Sequence, residues 1–189
     1  MATKLYLRST QNNVTGYYDL STTAGAGIDT CVTNTTAGGT QIQLTKTAGG
    51  ATVAWISRAI GVGFTLTTTD ISLWQMESNP SANTGGRYRL FLYSSSTGSE
   101  TELLGGPFDD GVEMNNSYRE DTWIGNPTDT AFSRGDRLVL KVYITNIGTM
   151  GSGRTCTMGF NAADAATGDS FLNINETITF LDRVFVAHY

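Results

Sequence analysis

The sequence predicts an all-β protein, an antiparallel β-sandwich of the jelly-roll or Greek-key type with an extended N-terminal segment rich in Gly, Ala and Thr. In residues 137–145 the even-numbered side chains from Leu138 to Ile144 are apolar and the odd-numbered ones are mixed, which is the alternation of a strand with one core face. The chain has 30 threonines and 22 glycines but only 3 prolines, a composition typical of pleated strands joined by tight turns. Many short apolar segments separated by turn residues, without a helical rhythm between them, indicate two packed antiparallel sheets.

The N-terminal segment, residues 1–40, begins with a predicted hairpin. Residues 4–8 and 16–20 alternate like strands on either side of a turn at residues 12–13. Residues 21–39 consist mainly of Ser, Thr, Ala, Gly and Asn, with too little apolar mass for a core strand, so we expect a long extended loop. This loop either lies on its own domain or reaches as an arm over a neighbouring subunit.

The remaining residues, 41–189, carry the strands of the predicted sandwich, and with the N-terminal segment they are expected to form one folded unit. Predicted strands occupy residues 41–45, 52–60, 64–68, 71–76, 87–94, 100–104, 137–145, 154–160, 171–180 and 183–187. Turn signals such as paired glycines separate several of them. Residues 161–167 have a helix-like composition but are too few for a stable helix, so we expect a loop or a single turn there.

Composition excludes two classes of partner. With a formal net charge of −5 and no cluster of Lys or Arg, the chain lacks the basic surface that phosphate contacts require, so no nucleic-acid partner is expected. No apolar run reaches the roughly 18 residues that span a bilayer, and the N-terminus lacks the apolar stretch of a secretion signal. We therefore expect no membrane partner, and synthesis in a cytoplasm.

Residue types that usually carry catalysis are scarce. His188, the single histidine, lies one residue from the C-terminus, so neither a nucleophile–histidine arrangement nor a histidine zinc site is expected. Cys31 and Cys156 are interpreted as two unpaired thiols, with a disulfide as the alternative. Several glutamates could form a glycosidase pair, but no motif marks any of them. We therefore expect no enzyme activity, no catalytic residue and no cofactor.

The sharpest acidic cluster lies in residues 105–113. It contains Asp109, Asp110 and Glu113, whose oxygens could coordinate calcium. Asp and Gly are also ordinary turn-forming residues, and the ordered pattern of an EF-hand loop is absent. A structural turn is therefore the preferred interpretation, with a calcium site as the alternative.

The three tryptophans are the residues best suited to stack on a sugar ring. Trp55 and Trp74 lie within apolar strand segments and are predicted to belong to the core. Trp123, in Asp-Thr-Trp-Ile-Gly-Asn-Pro, has the setting of a loop and is the candidate for ligand stacking.

Six short segments distributed along the chain carry a resemblance to known proteins. They are Lys-Leu-Tyr-Leu-Arg-Ser-Thr from Lys4, Asp-Leu-Ser-Thr-Thr-Ala-Gly-Ala-Gly from Asp19, Gly-Pro-Phe-Asp-Asp-Gly-Val-Glu from Gly106, Gly-Asp-Arg-Leu-Val from Gly135, Tyr-Ile-Thr-Asn-Ile-Gly-Thr-Met-Gly from Tyr143, and Phe-Asn-Ala-Ala-Asp-Ala-Ala-Thr-Gly-Asp-Ser from Phe160. Together they resemble a family of small virion proteins of tailed bacteriophages, of the jelly-roll capsid decoration type that is also called cement or head auxiliary protein. The resemblance extends over most of the chain and is weakest in residues 183–189.

The resemblance implies a structural protein that binds the outer shell of a capsid and stabilises it. It implies the major capsid protein and further copies of this chain as partners, a homotrimer as the assembled form, and the capsid exterior as the location after synthesis in the host cytoplasm. Residues that are expected to face a partner are Leu5, Tyr6, Leu7, Tyr17, Tyr18, Val139 and Tyr143. For the first five, the alternative is core packing within the same subunit.

Val139 and Tyr143 point outward from their predicted strand, so their face is expected to be covered by another strand, an arm or a neighbouring subunit.

The alternative function is that of a phage tail or fibre protein, or of a β-sandwich module that binds host glycans with Trp123 as a stacking residue.

Overall fold

The computed structural model describes residues 2–48 and 50–181, and the regular structure in these residues is almost entirely β-strand. Their fifteen strands are β1 (Thr3–Gln11), β2 (Tyr18–Ser21), β3 (Asp29–Asn34), β4 (Gln41–Gln43), β5 (Ala54–Ser57), β6 (Phe64–Leu66), β7 (Thr69–Glu77), β8 (Thr84–Tyr93), β9 (Glu100–Glu102), β10 (Phe108–Asp109), β11 (Arg119–Gly125), β12 (Thr130–Phe132), β13 (Arg137–Asn146), β14 (Thr155–Phe160) and β15 (Phe171–Ile174). A short 3₁₀ turn, Pro80–Ala82, lies between β7 and β8, and the described residues contain no α-helix. The predicted all-β class is confirmed.

The strands form two layers. In the first layer the hydrogen-bonded order is β10-β8-β13-β5-β2, with β9 beside β8 and β4 beside β13. In the second layer the order is β1-β15-β7-β14-β3, with β11 beside β7, and the β1–β2 pair joins the layers along one edge. Neighbouring strands run antiparallel throughout the described sheet, apart from the parallel pair β2–β5. The short pair β6–β12 forms a separate two-stranded sheet, and its Leu66 and Phe132 side chains belong to the core.

Side chains from the two layers meet in one continuous core. The Tyr88 hydroxyl of β8 lies 2.8 Å from Oγ1 of Thr69 on β7. The ring of Trp55 on β5 meets that of Phe160 on β14 edge-on, with 5.3 Å between the ring centroids. The even-numbered side chains of β13 at positions 138–144 are buried in this core, as their alternation predicts. These contacts make the molecule a β-sandwich, which confirms the predicted architecture.

Residues 21–39 pack on their own domain, which was one of the two alternatives. Gly25 donates a backbone hydrogen bond to Ala162 at 2.9 Å, and the Arg8 guanidinium donates to the Thr23 carbonyl at 2.7 Å. The segment also contains β3, which pairs with β14 along its whole length. The expectation of a loop without a strand was therefore wrong, because backbone pairing at a sheet edge compensates for the shortage of apolar side chains.

The N-terminal residues are an integral part of the sandwich. Strand β1 pairs with β2 on one side and with β15 on the other. The predicted hairpin of β1 and β2 is therefore confirmed, and the N-terminal segment and the later strands share one sheet.

Some predicted boundaries differ from the structure. Strand β15 ends at Ile174, so the strand predicted over 171–180 is shorter, and the one predicted over 183–187 lies outside the described residues. Residues 161–167 form a loop, as expected. The polar section before β13, which was predicted without strands, contains β10, β11 and β12.

Candidate functional site

The outer face of the first layer carries cations and aromatic rings in alternating register; we call it the basic–aromatic face. Strand β8 directs Tyr88 and Leu90 into the core, so the intervening side chains point outward. The basic–aromatic face consists of Arg87, Arg89, Phe91 and Tyr93 of β8, Lys141 and Tyr143 of β13, and Tyr17 from the turn before β2. Arg, Tyr and Phe are residue types enriched at protein interfaces.

The side chains of the basic–aromatic face hold one another in place. The Arg89 guanidinium lies 5.3 Å from the centre of the Tyr143 ring, and the Lys141 ammonium lies 4.3 Å from that of Phe91. Glu100 on β9 accepts hydrogen bonds from both the Tyr17 hydroxyl and Lys141. Cation–π contacts and shared carboxylates order long side chains before any partner arrives, which lowers the entropic cost of association.

The basic–aromatic face is also tied to the acidic segment. Arg87 forms a two-pronged ion pair with Asp109 of β10, in which Nη2 lies 2.7 Å from Oδ2. The same guanidinium donates to Gln41 Oε1 at 2.6 Å. Because hydrogen bonds hold the Arg87 guanidinium along two of its edges, its orientation on the face is fixed.

The outer face of the second layer carries a pocket of about 250 Å³; we call it the Trp74 pocket. Its lining residues are Lys4 of β1, Trp74 of β7, Glu120 of β11, Phe171 of β15, and Ala165 and Asp169 of the loop between β14 and β15. Strands β14 and β15 both pair with the same edge of β7, one towards each end. The loop that connects them therefore stands beside Trp74 and forms one wall of the pocket.

The cation at the Trp74 pocket is shared between two carboxylates. Lys4 Nζ lies 2.7 Å from Asp164 Oδ1 and 3.4 Å from Asp169 Oδ2, and 3.7 Å from the centre of the Phe171 ring. The hydrogen bond from Lys4 lowers the pKa of Asp164, whereas burial raises that of Asp169. The Tyr6 hydroxyl also donates to Asp164, at 2.9 Å. The wall of the pocket is thus fixed to β1 through charged hydrogen bonds.

The five N-terminal residues that were predicted to face a partner lie in different environments in the structure. Leu5 and Leu7 have no exposed surface, so they follow the core-packing alternative and are not available as a contact surface. Tyr6 points the other way, towards Asp164, and is nearly buried. Tyr17 belongs to the basic–aromatic face, and Tyr18 packs at an angle against the core ring of Trp55.

Val139 and Tyr143 lie on the outward side of β13, as predicted, and neighbouring side chains of the same face bury both of them. Val139 is completely buried and Tyr143 is 9% exposed. Val139 is flanked by Ile56 of β5 and Phe91 of β8, and Arg89 lies over the Tyr143 ring. Val139 therefore cannot contact a partner directly, which corrects its assignment as an interface residue.

The assignments of Trp123 and Trp74 are reversed in the structure. Trp123 lies in β11, is 9% exposed and donates its indole N–H to the Phe108 carbonyl, so it is not placed to stack on a ligand. Trp74 lies on the outer face, partly exposed, rather than in the core. The signal was available in residues 71–76, because Ile71 and Leu73 must share the face opposite to Trp74 in a strand.

The acidic segment forms a turn whose carboxylates are separately engaged. Asp109 pairs with Arg87, and Asp110 Oδ1 accepts the backbone N–H of Val112 at 3.0 Å. Burial raises the pKa of Asp110 to about 6. Among the described residues no three potential metal-ligating side chains are grouped.

Cys31 and Cys156 are both buried and unpaired, as their preferred interpretation had it. His188 lies outside the described residues. In the part of the chain that the structure describes, no helix is both long and apolar enough to cross a membrane.

Comparison with family models and with curated proteins finds no match. Among solved structures, the chain is similar to an aminopeptidase from the marine sediment archaeon Thaumarchaeota archaeon, with 9% identity and a TM-score of 0.61 over 95% of this chain and 37% of that one. It is also similar to a CocE/NonD family hydrolase from Staphylococcus aureus, with 11% identity and a TM-score of 0.59 over 95% of this chain and 37% of that one. A CBM22-1 xylan-binding domain from Paenibacillus barcinonensis aligns with a TM-score of only 0.34, too low to indicate a shared function.

These likenesses concern the fold alone. The chain spans little more than a third of the length of the two enzymes, and identities of 9% and 11% do not carry over catalytic residues. What they support is the β-sandwich architecture that the strand pairing and the core already establish.

Proposed function

We propose that this protein is a non-catalytic virion protein that decorates and stabilises the capsid of a tailed bacteriophage. In this proposal the basic–aromatic face binds the major capsid protein on the outer shell, and copies of the chain associate as a homotrimer. The proposal is supported by the sequence resemblance to decoration proteins, which extends over most of the chain. It is also supported by the side chains of the basic–aromatic face, which are of types that commonly form protein interfaces.

The observation that carries the proposal is the arrangement of Arg, Lys and aromatic side chains on that face. Arg89 and Lys141 are 28% and 21% exposed, so they are held against the protein yet still reach solvent. A partner that covers them gains contact with groups that are already ordered, and Arg and Tyr are the residue types that most often dominate binding energy.

The proposal is tested by adding purified protein to particles of the encoding phage that were assembled without it. We expect saturable binding in a fixed ratio to the shell subunits, and a gain in the heat tolerance of the particles. The Arg89→Glu variant should bind at least about tenfold more weakly, as expected for a central interface residue. Arg89 lies 3.5 Å from Glu102, so Arg89→Gln, which avoids placing two carboxylates side by side, provides a second variant if Arg89→Glu unfolds.

A matched control is Arg154→Glu, which reverses an exposed charge away from the basic–aromatic face. This variant should bind as the unmodified protein does. Equal binding of both variants would argue against attachment through the basic–aromatic face. Recovery of the protein only with purified tails would contradict decoration and favour the tail or fibre alternative.

A further inference from the structure

Trp74 differs from the other two tryptophans in its surroundings. Trp55 and Trp123 are buried, and their indole N–H groups donate to the backbone carbonyls of Arg8 and Phe108. Trp74 is partly exposed, and its indole N–H donates to no group in the described part of the chain. A tryptophan whose indole N–H is free at a pocket offers a ligand both an apolar ring to pack against and a hydrogen-bond donor.

The residues around Trp74 add polar groups to this apolar surface. Glu120 lies directly opposite Trp74 in the β7–β11 pair, so both side chains stand on the same outer face. One carboxylate oxygen of Glu120 accepts the Ser72 hydroxyl, and the other has no partner among the described residues. Lys4 uses two of its three N–H donors on Asp164 and Asp169, which leaves one for a ligand.

Size and charge restrict what the Trp74 pocket can hold. A volume of about 250 Å³ is below the range of pockets for larger ligands, roughly 300–1,000 Å³, and suits a single six-membered ring with its substituents. The lining contains one cation, Lys4, and two carboxylates, those of Asp169 and Glu120, and Lys4 also pairs with Asp164. The excess of negative charge disfavours carboxylated or sulfated ligands.

We propose that the Trp74 pocket binds one pyranose ring of a neutral sugar. The apolar face of the sugar packs against Trp74, while its hydroxyl groups bond to the free oxygen of Glu120 and the remaining donor of Lys4. Hydrogen bonds to charged groups are the stronger kind, and they orient the ring over the aromatic surface. The site lies on the layer opposite to the basic–aromatic face, so this proposal does not depend on attachment to a capsid.

The test is a titration of the full chain with methyl glycosides of neutral hexoses and of N-acetylglucosamine, followed by the NMR signals of the indole N–H groups. We expect saturable binding with a Kd of about 1 mM, typical of a single small ring, and a shift confined to the Trp74 indole signal. N-Acetylneuraminic acid and glucuronic acid should bind at least about tenfold more weakly.

Substitutions at and near the Trp74 pocket test whether it is the site that binds the sugar. Trp74→Ala should weaken binding at least about tenfold, and Met76→Ala, two residues along the same outer face of β7, should leave it unchanged. Glu120→Ala, at an exposed position, provides a second variant if Trp74→Ala unfolds, and it should weaken binding several-fold. Absence of any binding by neutral sugars, preference for the acidic ones, or unchanged binding by Glu120→Ala and Trp74→Ala would each overturn the proposal.

Discussion

Replacing Asp110 by Asn is expected to remove a loss of stability that the protein suffers near neutral pH. Asp110 follows β10 and accepts the Val112 N–H at 3.0 Å and the Gln75 side-chain amide at 3.3 Å. The same amide donates to Asp121 at 3.0 Å, which brings a second carboxylate close. Burial first, and the charge of Asp121 in addition, raise the pKa of Asp110 from 3.8 to about 6.

The direction and magnitude of the stability change follow from the difference between the pKa of Asp110 in the folded and in the unfolded protein. Between pH 3.8 and about 6 the folded protein holds a proton on Asp110 that the unfolded chain has lost, so the free energy of unfolding falls as the pH rises through this window. At about 1.4 kcal/mol for each pH unit between the two pKa values, the full loss above pH 6 would be about 3 kcal/mol. The side chain is only partly buried, and solvent screening reduces this figure to about 1–1.5 kcal/mol.

The measurement is urea denaturation of the unmodified protein and of Asp110→Asn at pH 4 and at pH 7.5. We expect the variant to be more stable by about 1 kcal/mol at pH 7.5 and equally stable at pH 4. Asp129→Asn, which removes an exposed carboxylate from a loop, is the matched control and should show no such pH dependence. A stability difference for Asp110→Asn that is the same at both pH values would refute the reasoning.

Three further predictions concern the core. Burial, and in addition the nearby carboxyl of Glu113, raise the pKa of Glu77, so Glu77→Gln should raise the free energy of unfolding by about 1 kcal/mol at pH 8 and by less at pH 5. An equal gain at both pH values would contradict this. A β-carbon at Gly125 would overlap the Tyr88 hydroxyl, so Gly125→Ala should cost about 2–3 kcal/mol in the same assay, and a loss below about 0.5 kcal/mol would be inconsistent with the packing. The thiols of Cys31 and Cys156 are buried, with the pKa of Cys156 raised to about 11, so they should react with a thiol reagent in urea but not in the native protein.

The sequence predicts the centre of this fold best. The alternation in β13 places Leu138 and Leu140 in the core, and the structure confirms it, because a strand between two neighbours has its side-chain directions fixed by the pleat. Trp55, predicted to lie in the core, is also fully buried. The burial of such positions can be predicted without knowing the strand order, since a side chain on the inner face of either layer packs into the same core.

The edges and the outer faces were predicted less well, for a physical reason. Strand β3 is held by backbone hydrogen bonds to β14, and backbone pairing leaves little trace in side-chain composition. Trp123 is followed by Gly125 and Pro127, which indicate a loop, yet it pairs with Ile71 in the β7–β11 ladder. The Trp74 pocket brings together residues from four strands and a loop, so only the sheet order reveals it.

The opposite directions of the two outer faces make the two proposals jointly testable. A sandwich that binds a shell through the basic–aromatic face must turn the Trp74 pocket away from that shell, because the two surfaces belong to opposite layers. Protein bound to particles should then bind neutral methyl glycosides with the same affinity as the free protein, and Trp74→Ala should abolish this binding without releasing the protein from the particles. If attachment to particles eliminated sugar binding in the unmodified protein, the pocket face would have to be covered as well, and attachment through the basic–aromatic face alone would be refuted.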